Sequence, residues 1–277
     1  MAINPIHPVA ISARGDVKDE TLISVKGVNV RFSGQQVLQN INLSIPKGSF
    51  VSLIGPSGCG KSTLLKVLAG LVEPSDGEVT IAGLSPSEAT RRQMIGLVFQ
   101  EANLLPWKNA VDNASLLLSI ADRSLSRAEL RARGQNMLEL VGLGDSAHKY
   151  PHQLSGGMRQ RVAIARALSL DPAVLLMDEP FGALDAITRD VMSQSLLEIW
   201  ERTGKTVVLV THSIDEAVHL SRDVHVLGIR PGRITKSLDI DLPYPRDLTL
   251  AEKPEFLRLM VQMRTALRAS HQPGETS

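Results

Sequence analysis

The chain has 277 residues, 43% hydrophobic and 21% charged, the balance of a globular protein with ample core. A formal net charge of +1 gives no electrostatic case for nucleic acid or an anionic membrane as partner, and aromatics at 3% make the core aliphatic. Cys59 is the single cysteine, which excludes an internal disulfide and a cysteine-rich metal site, and no apolar run reaches the roughly 18–20 residues that span a bilayer.

Residues 1 to about 20 carry prolines, mixed charges and no periodicity, and read as a flexible tail in which Arg14-Gly15-Asp16 has no special meaning. The start lacks a basic region followed by an apolar core, so no secretory signal is expected and the chain should be cytoplasmic. Residues 22–32 and 37–45 alternate like strands around a Ser33-Gly34 turn, which suggests an antiparallel pair. Phe32 closes the first of them. Its pattern reads as core, although a flat ring at a strand end can also stack on a base.

After a turn at Pro46-Lys47-Gly48, the apolar run 50–54 reads as a buried strand and 63–71 as a helix with a glycine stop. Between them lies Gly55-Pro56-Ser57-Gly58-Cys59-Gly60-Lys61-Ser62, a glycine-rich loop in the strand-to-helix setting that a phosphate-binding loop requires. Its glycines let successive N–H groups turn inward toward phosphate oxygens, and the helix start adds partial positive charge. Lys61 can place its ammonium on the β- and γ-phosphates, Ser62 can offer its hydroxyl to Mg²⁺, and Cys59 reads as a small residue that fits the loop.

Short strands follow at 77–83 and 95–99, the second ending at Gln100, whose amide oxygen can hold a cation or orient a water. Residues 104–107 form an apolar loop with Trp107, either tucked under or waiting for a partner. From 111 to about 141 the spacing is helical, with a capping box at Ser126 and Glu129, as in a helical insertion of two or three helices. Ser155 N-caps a further helix to about Leu170, and Gly156 and Gly157 expose its first N–H groups, a second anion-binding helix start.

The run 173–177 reads as a strand buried on both faces, ending in Asp178 and Glu179. Ligands of such sheets sit outside the carboxyl ends of strands, so Asp178 can hold Mg²⁺ and Glu179 can polarise an attacking water. A tight loop at 182–185 leads into a helix to about 201, and a strand at 206–211 ends at His212. Ser213 and Glu216 have the form of another capping box, residues 222–227 and 233–239 look like edge strands, and Pro254 opens an amphipathic helix with Phe256, Leu257, Met260, Met263 and Leu267 near one face. A polar tail is expected from Ser270 to Ser277.

With the Leu154-Ser155-Gly156-Gly157-Met158 stretch lying between the phosphate loop and the acidic strand, the chain resembles the ATP-binding subunit of an ABC transporter. The match runs from about 22 to 232. The stretches 103–107, 153–161 and 240–246 are most similar to importers of the nitrate, sulfonate and taurine type. The fold this implies is α/β: a P-loop NTPase core with a parallel central sheet, an N-terminal antiparallel β subdomain and an inserted α-helical subdomain. The implied boundaries are a tail at 1–20, an ATPase domain at 21–240 with the helical part at about 101–165, and a C-terminal extension at 241–277.

The resemblance implies ATP and Mg²⁺ as cofactors. Catalytic roles fall on Glu179 as general base, His212 and Gln100, and the cation on Ser62, Gln100 and Asp178. Nucleotide contacts fall on Phe32 by stacking on adenine, on Gly55 through Ser62 and Thr63, on Ser155, Gly156 and Gly157 from a second copy, and on Asp185. The implied partners are a membrane permease, a second copy arranged head to tail and, indirectly, a solute-binding protein, with no nucleic acid. The implied location is the cytoplasmic face of the membrane as a peripheral subunit. The Trp107 loop and helical insertion would receive a helix of the permease.

Overall fold

The computed structural model describes residues 20–270. The expectations placed on 1–19 and 271–277, including Arg14-Gly15-Asp16, lie outside the described residues. Alternating apolar residues build β1 (Thr21–Phe32) and β2 (Gln35–Pro46), which pair antiparallel with Val25 opposite Leu43 and Val28 opposite Ile41. With β4 (Asp76–Ile81) they form an antiparallel sheet of order β2-β1-β4.

The second sheet runs β5 (Ile95–Val98), β6 (Val174–Asp178), β7 (Thr206–Thr211), β3 (Phe50–Ile54), β8 (Asp223–Gly228), β9 (Arg233–Asp239). Its first five strands are parallel and β9 is antiparallel to β8. Every residue of β3 and β7 is buried, as continuous apolar runs require of strands covered on both faces. The expectation of two edge strands at 222–239 is corrected: β8 pairs with both β3 and β9 and is interior, so of these two strands only β9 is an edge. Asp223 and His225 interrupt the apolar run of β8 and give an interior strand the look of an edge.

One apolar cluster joins the antiparallel sheet to one face of the parallel sheet through α1 (Lys61–Leu68). A second covers the other face, where Phe50 and Met177 meet α6 (Gly156–Leu168) and α7 (Ala186–Thr203). The helices α3 (Ala110–Ala114), α4 (Leu116–Ala121) and α5 (Arg127–Leu140) pack with α6, whose apolar side belongs to both groups, so this core is continuous. The capping box at Ser126 and Glu129 is present as expected. An unanticipated helix, α2 (Pro86–Arg91), buries only Ala89, which explains why no apolar period announced it.

A third cluster lies between α8 (Ile214–Leu220) and α9 (Pro254–Ser270). Phe256, Met260 and Met263 of α9 are buried, but Leu257 is on the solvent side. Ser270 is not tail: it is the buried last residue of α9, and its hydroxyl donates to Leu267 O at 2.7 Å. Among the described residues no helix is long and apolar enough to cross a membrane.

Candidate functional site at the carboxyl edge of the parallel sheet

Adjacent parallel strands β5, β6, β7 and β3 end on one edge, and each delivers one expected element there: Gln100 follows β5, Asp178 and Glu179 close β6, His212 follows β7, and the glycine loop follows β3. The loop curls because Gly58 (φ +78°) and Gly60 (φ +99°) take left-handed conformations that suit glycine. Gly60 is also the N-cap of α1 and offers no side chain, so the first N–H groups of α1 stay uncapped by the protein. By contrast, side chains cap α2, α3, α5, α6, α7 and α8. An uncapped helix start behind a curled loop is an anion cradle.

Lys61 is buried within that loop, its Nζ donating to Gly55 O (2.8 Å) and Pro56 O (3.0 Å). Cys59 is buried, and burial first of all pushes its thiol pKa up, which fits its reading as a small packing residue. Ser62 Oγ donates to Asp178 Oδ1 at 2.9 Å, so hydroxyl and carboxylate already converge from α1 and β6. Burial raises the Asp178 pKa; the bond from Ser62 pulls it back and the neighbouring Glu179 raises it further. Hard oxygen donors of this kind suit Mg²⁺. Among the described residues no cluster of three or more His, Cys, Asp or Glu could hold a metal alone. The hydroxyl of Ser62 and the carboxylate of Asp178 fit a cation that takes its other ligands from phosphate oxygens and water.

Glu179 has a left-handed backbone (φ +46°), a strained setting for a non-glycine residue. It is held there by its N–H to Val210 O (2.9 Å) and by Gly182 N–H to its carbonyl (3.0 Å). Its Oε2 lies 3.1 Å from His212 Nδ1. An ionised carboxylate only accepts, so Nδ1 carries the proton of this bond. A Cβ added to Gly182 would sit 3.2 Å from Gln100 Nε2 and 3.6 Å from Glu179 Oε2, which places the Gln100 amide beside the same turn.

Asp185 caps α7, accepting from Thr188 N–H (2.9 Å), and these bonds to Thr188 hold its carboxyl below the usual range. Ser155 caps α6 through Met158 N–H (3.2 Å), as expected. The start of α6 faces other neighbours than the glycine loop: a Cβ on Gly156 would meet Leu184, and one on Gly157 would meet Thr188 and Met192. Phe32 ends β1 47% exposed, so the core reading of its pattern is corrected. Thr63 lies half-buried in the first turn of α1.

The Ser213 cap is only half the expected box. Ser213 Oγ accepts from Glu216 N–H (3.2 Å), but Ser213 N–H donates to Thr211 Oγ1 (3.0 Å), and Thr211 Oγ1 donates to Glu216 Oε2 (2.5 Å). Sequence reasoning missed that triangle, and also Gly232. Gly232 N–H donates to Val37 O (2.9 Å), its carbonyl accepts from Gln39 N–H (2.8 Å), and a Cβ there would stand 2.1 Å from Cys59 O. The only signal was a Pro-Gly pair, which reads as an ordinary turn. Gly232→Ala must displace the glycine loop; the expected result is ATP affinity weakened by about tenfold or more, read by nucleotide titration.

A carboxylate bonded to the hydroxyl of a glycine-loop serine, with that loop running into an uncapped helix, defines the class of P-loop nucleoside triphosphatases. Within that class the chain belongs to the ABC transporter family, whose model matches residues 38–182, and it is an ATP-binding, ATP-hydrolysing member. It is 45% identical over 244 residues to an aliphatic sulfonates import ATP-binding protein, SsuB, of Bacillus cereus, covering 87% of this chain and 94% of that one. It is 43% identical over 238 residues to a taurine import ATP-binding protein, TauB, of Rhizobium johnstonii, covering 84% and 89%. A dimeric ATP-binding cassette solved in a post-hydrolysis state with ADP and Pi resembles it with a TM-score of 0.69 at 37% identity, over 80% of this chain and all of that one.

Proposed function

We propose that the chain is the ATPase subunit of an importer, energising uptake of a small anionic solute of the sulfonate, taurine or nitrate type through a separate membrane permease. The observation that carries the nucleotide chemistry is the uncapped start of α1 beside the Ser62–Asp178 pair. The importer class rests on the likeness to the sulfonate and taurine relatives. The subunit works at the cytoplasmic face of the membrane, peripherally, and a solute-binding protein reaches it only through the permease.

Two copies pair, a reading that the dimeric cassettes support, and they face head to tail. The loop backbone from Gly55 to Ser62, with Thr63, holds the phosphates of ATP, and Lys61 places its charge on the β- and γ-phosphates. Phe32 stacks on adenine. Ser155, Gly156 and Gly157 of the second copy supply further donors to the γ-phosphate, and Asp185 lies at the contact between copies. Ser62, Asp178 and Gln100 would hold Mg²⁺, which would neutralise charge on the phosphates. Glu179 accepts the proton of the attacking water while its oxygen bonds to the γ-phosphorus and the bond to the ADP oxygen breaks. His212 braces Glu179 through the 3.1 Å bond and faces the γ-phosphate. Positioning and charge stabilisation do most of the work in such transfers. Because ATP contacts both copies it closes the dimer, and hydrolysis releases it.

Residues 101–165 act as the part that meets the permease. Trp107 is 70% exposed on that part, a large apolar surface with no neighbour to cover it in this chain alone. Co-reconstituted with its permease, the chain is expected to drive solute uptake. Trp107→Asp is expected to lower uptake by about tenfold or more while hydrolysis by the subunit is retained, since such a residue sits at the centre of an interface. Uptake unchanged by the substitution would remove the docking role.

A further inference from the structure

Glu216 is a buried carboxylate that the mechanism above does not use. Burial raises its pKa, and bonds and charges from Thr211 and Arg189 work against that, so its place in the fold is costly unless it is bonded. A capping glutamate would ordinarily reach back to the N–H of its Ser213 cap. Here that N–H is served by Thr211 Oγ1, and the Glu216 carboxylate is turned to two other groups.

The first group is the Thr211 hydroxyl. It donates to Glu216 Oε2 (2.5 Å) and accepts from Ser213 N–H (3.0 Å), so it fixes the chain on both sides of His212. The His212 side chain is itself 53% exposed and has little packing to hold it, so its aim at Glu179 depends on that backbone. The second group is Arg189 on α7. Its Nε lies 3.5 Å from Glu216 Oε1, and its Nη2 donates to Leu184 O at 3.0 Å. Leu184 belongs to the tight loop before Asp185, and Arg189 N–H also donates to Asp185 O (2.9 Å). Arg189 Nε is buried with no partner in hydrogen-bond geometry, so a small approach of α7 to α8 would complete the pair.

We propose that Glu216 and Arg189 form a positioning pair that ties the Leu184–Asp185 loop to the Thr211–Ser213 turn, so that the loop at the copy-to-copy contact and the His212–Glu179 pair move together. The inference rests on the proposed function of Glu179, His212 and Asp185. Neither residue is among those proposed above to hold the nucleotide or the attacking water. Its loss should therefore slow turnover and leave nucleotide binding alone, because Lys61, Ser62 and the glycine loop stand on other elements.

The test uses steady-state hydrolysis by the full chain with its permease, comparing wild type, Glu216→Gln, Arg189→Met and the double variant. Glu216→Gln keeps an oxygen for Thr211 but can turn an amide N–H₂ toward Arg189, donor against donor. Each single variant is expected to lose about tenfold in kcat with KM for ATP changed by less than about twofold, the split expected for misplacement of the reacting groups. The double variant should lose little more than either single one, because both break the same link. Single variants that turn over like wild type, losses that multiply, or KM rising in step with the fall in kcat would each overturn the pair. If Glu216→Gln fails to fold, Arg189→Met, whose side chain is 27% exposed, decides by its kcat-against-KM split alone. Glu179→Gln is run alongside. A wild type that does not hydrolyse ATP, or a Glu179→Gln variant that does, overturns the functional proposal and the pair with it. Normal behaviour of those two with normal turnover in Glu216→Gln overturns the pair only.

Discussion

Replacing Glu179 with glutamine is expected to lower kcat by about 10²–10⁴-fold while ATP still binds, the range typical for removal of a general base. The substitution changes one atom. The side chain can still accept from His212 Nδ1 through its amide oxygen, so the 3.1 Å contact survives in the variant. The backbone bonds that hold position 179 in its left-handed conformation involve Val210 and Gly182 and do not depend on the carboxylate. What disappears is the capacity to take a proton from water. In the proposed dimer, ATP that binds and is not hydrolysed would keep contacts on both copies, so the variant should run as a dimer with ATP and as a monomer without it in size-exclusion chromatography. A loss of less than about tenfold would mean that Glu179 is not the base, since positioning without proton transfer survives the change. Loss of ATP binding together with turnover would mean that position 179 holds the nucleotide instead.

The parts of this site that were legible in the sequence are those whose chemistry is local. The glycine loop needs left-handed backbone at Gly58 and Gly60 and a donor and a hydroxyl at the helix start, and all of these lie within eight consecutive residues. Asp178 and Glu179 were legible for a related reason: charged residues at the end of a continuous apolar run mark where a buried strand reaches its carboxyl edge. The caps at Ser126 and Ser155 follow from hydrogen bonds spanning three residues, and both formed. The Ser213 box failed because Thr211, two residues earlier, competes for both partners, and nothing in the spacing records which acceptor wins. Gly232 was invisible because the atom it must avoid, Cys59 O, is far away in the chain. The same holds for β8, whose place between β3 and β9 depends on pairing with remote strands. The proposed nucleotide contacts of Phe32 and Asp185 rest on the family resemblance; the structure adds that Phe32 is exposed at the end of β1 and that Asp185 caps α7.

Arg246→Met should destabilise the chain by roughly 3–5 kcal/mol, the range for breaking a buried charged network. Arg246 is 1% exposed, and the hydrogen bonds of its guanidinium go to backbone carbonyls: Val218 O (3.0 Å), His219 O (3.1 Å), Ser221 O (2.9 Å), Ile240 O (3.3 Å) and Leu242 O (2.8 Å). Tyr244 lies under it, 4.0 Å from guanidinium carbon to ring centre, and donates its hydroxyl to Leu220 O at 2.8 Å. Together the two side chains satisfy the carbonyls from Val218 to Ser221, which the end of α8 leaves without helical partners, and they bring positive charge to its negative end. Methionine fills much of the volume and removes the cost of burying a charge, but it leaves those carbonyls buried without donors, at about 1–3 kcal/mol for each that finds no water. At about 2–4 °C per kcal/mol for a domain of this size, the midpoint of thermal unfolding should fall by roughly 10 °C. Arg246→Lys should recover less than half of that, because an ammonium has three donors on one point and cannot fork across carbonyls on both sides of α8 and the 240–242 segment. Thermal unfolding of both variants decides it: a midpoint within about 2 °C of wild type for Arg246→Met would show that the carbonyls find other donors. Because only the Ser213 cap separates His212 from the start of α8, the same variant should also lose turnover well below its melting temperature, a loss that a purely peripheral strap would not cause.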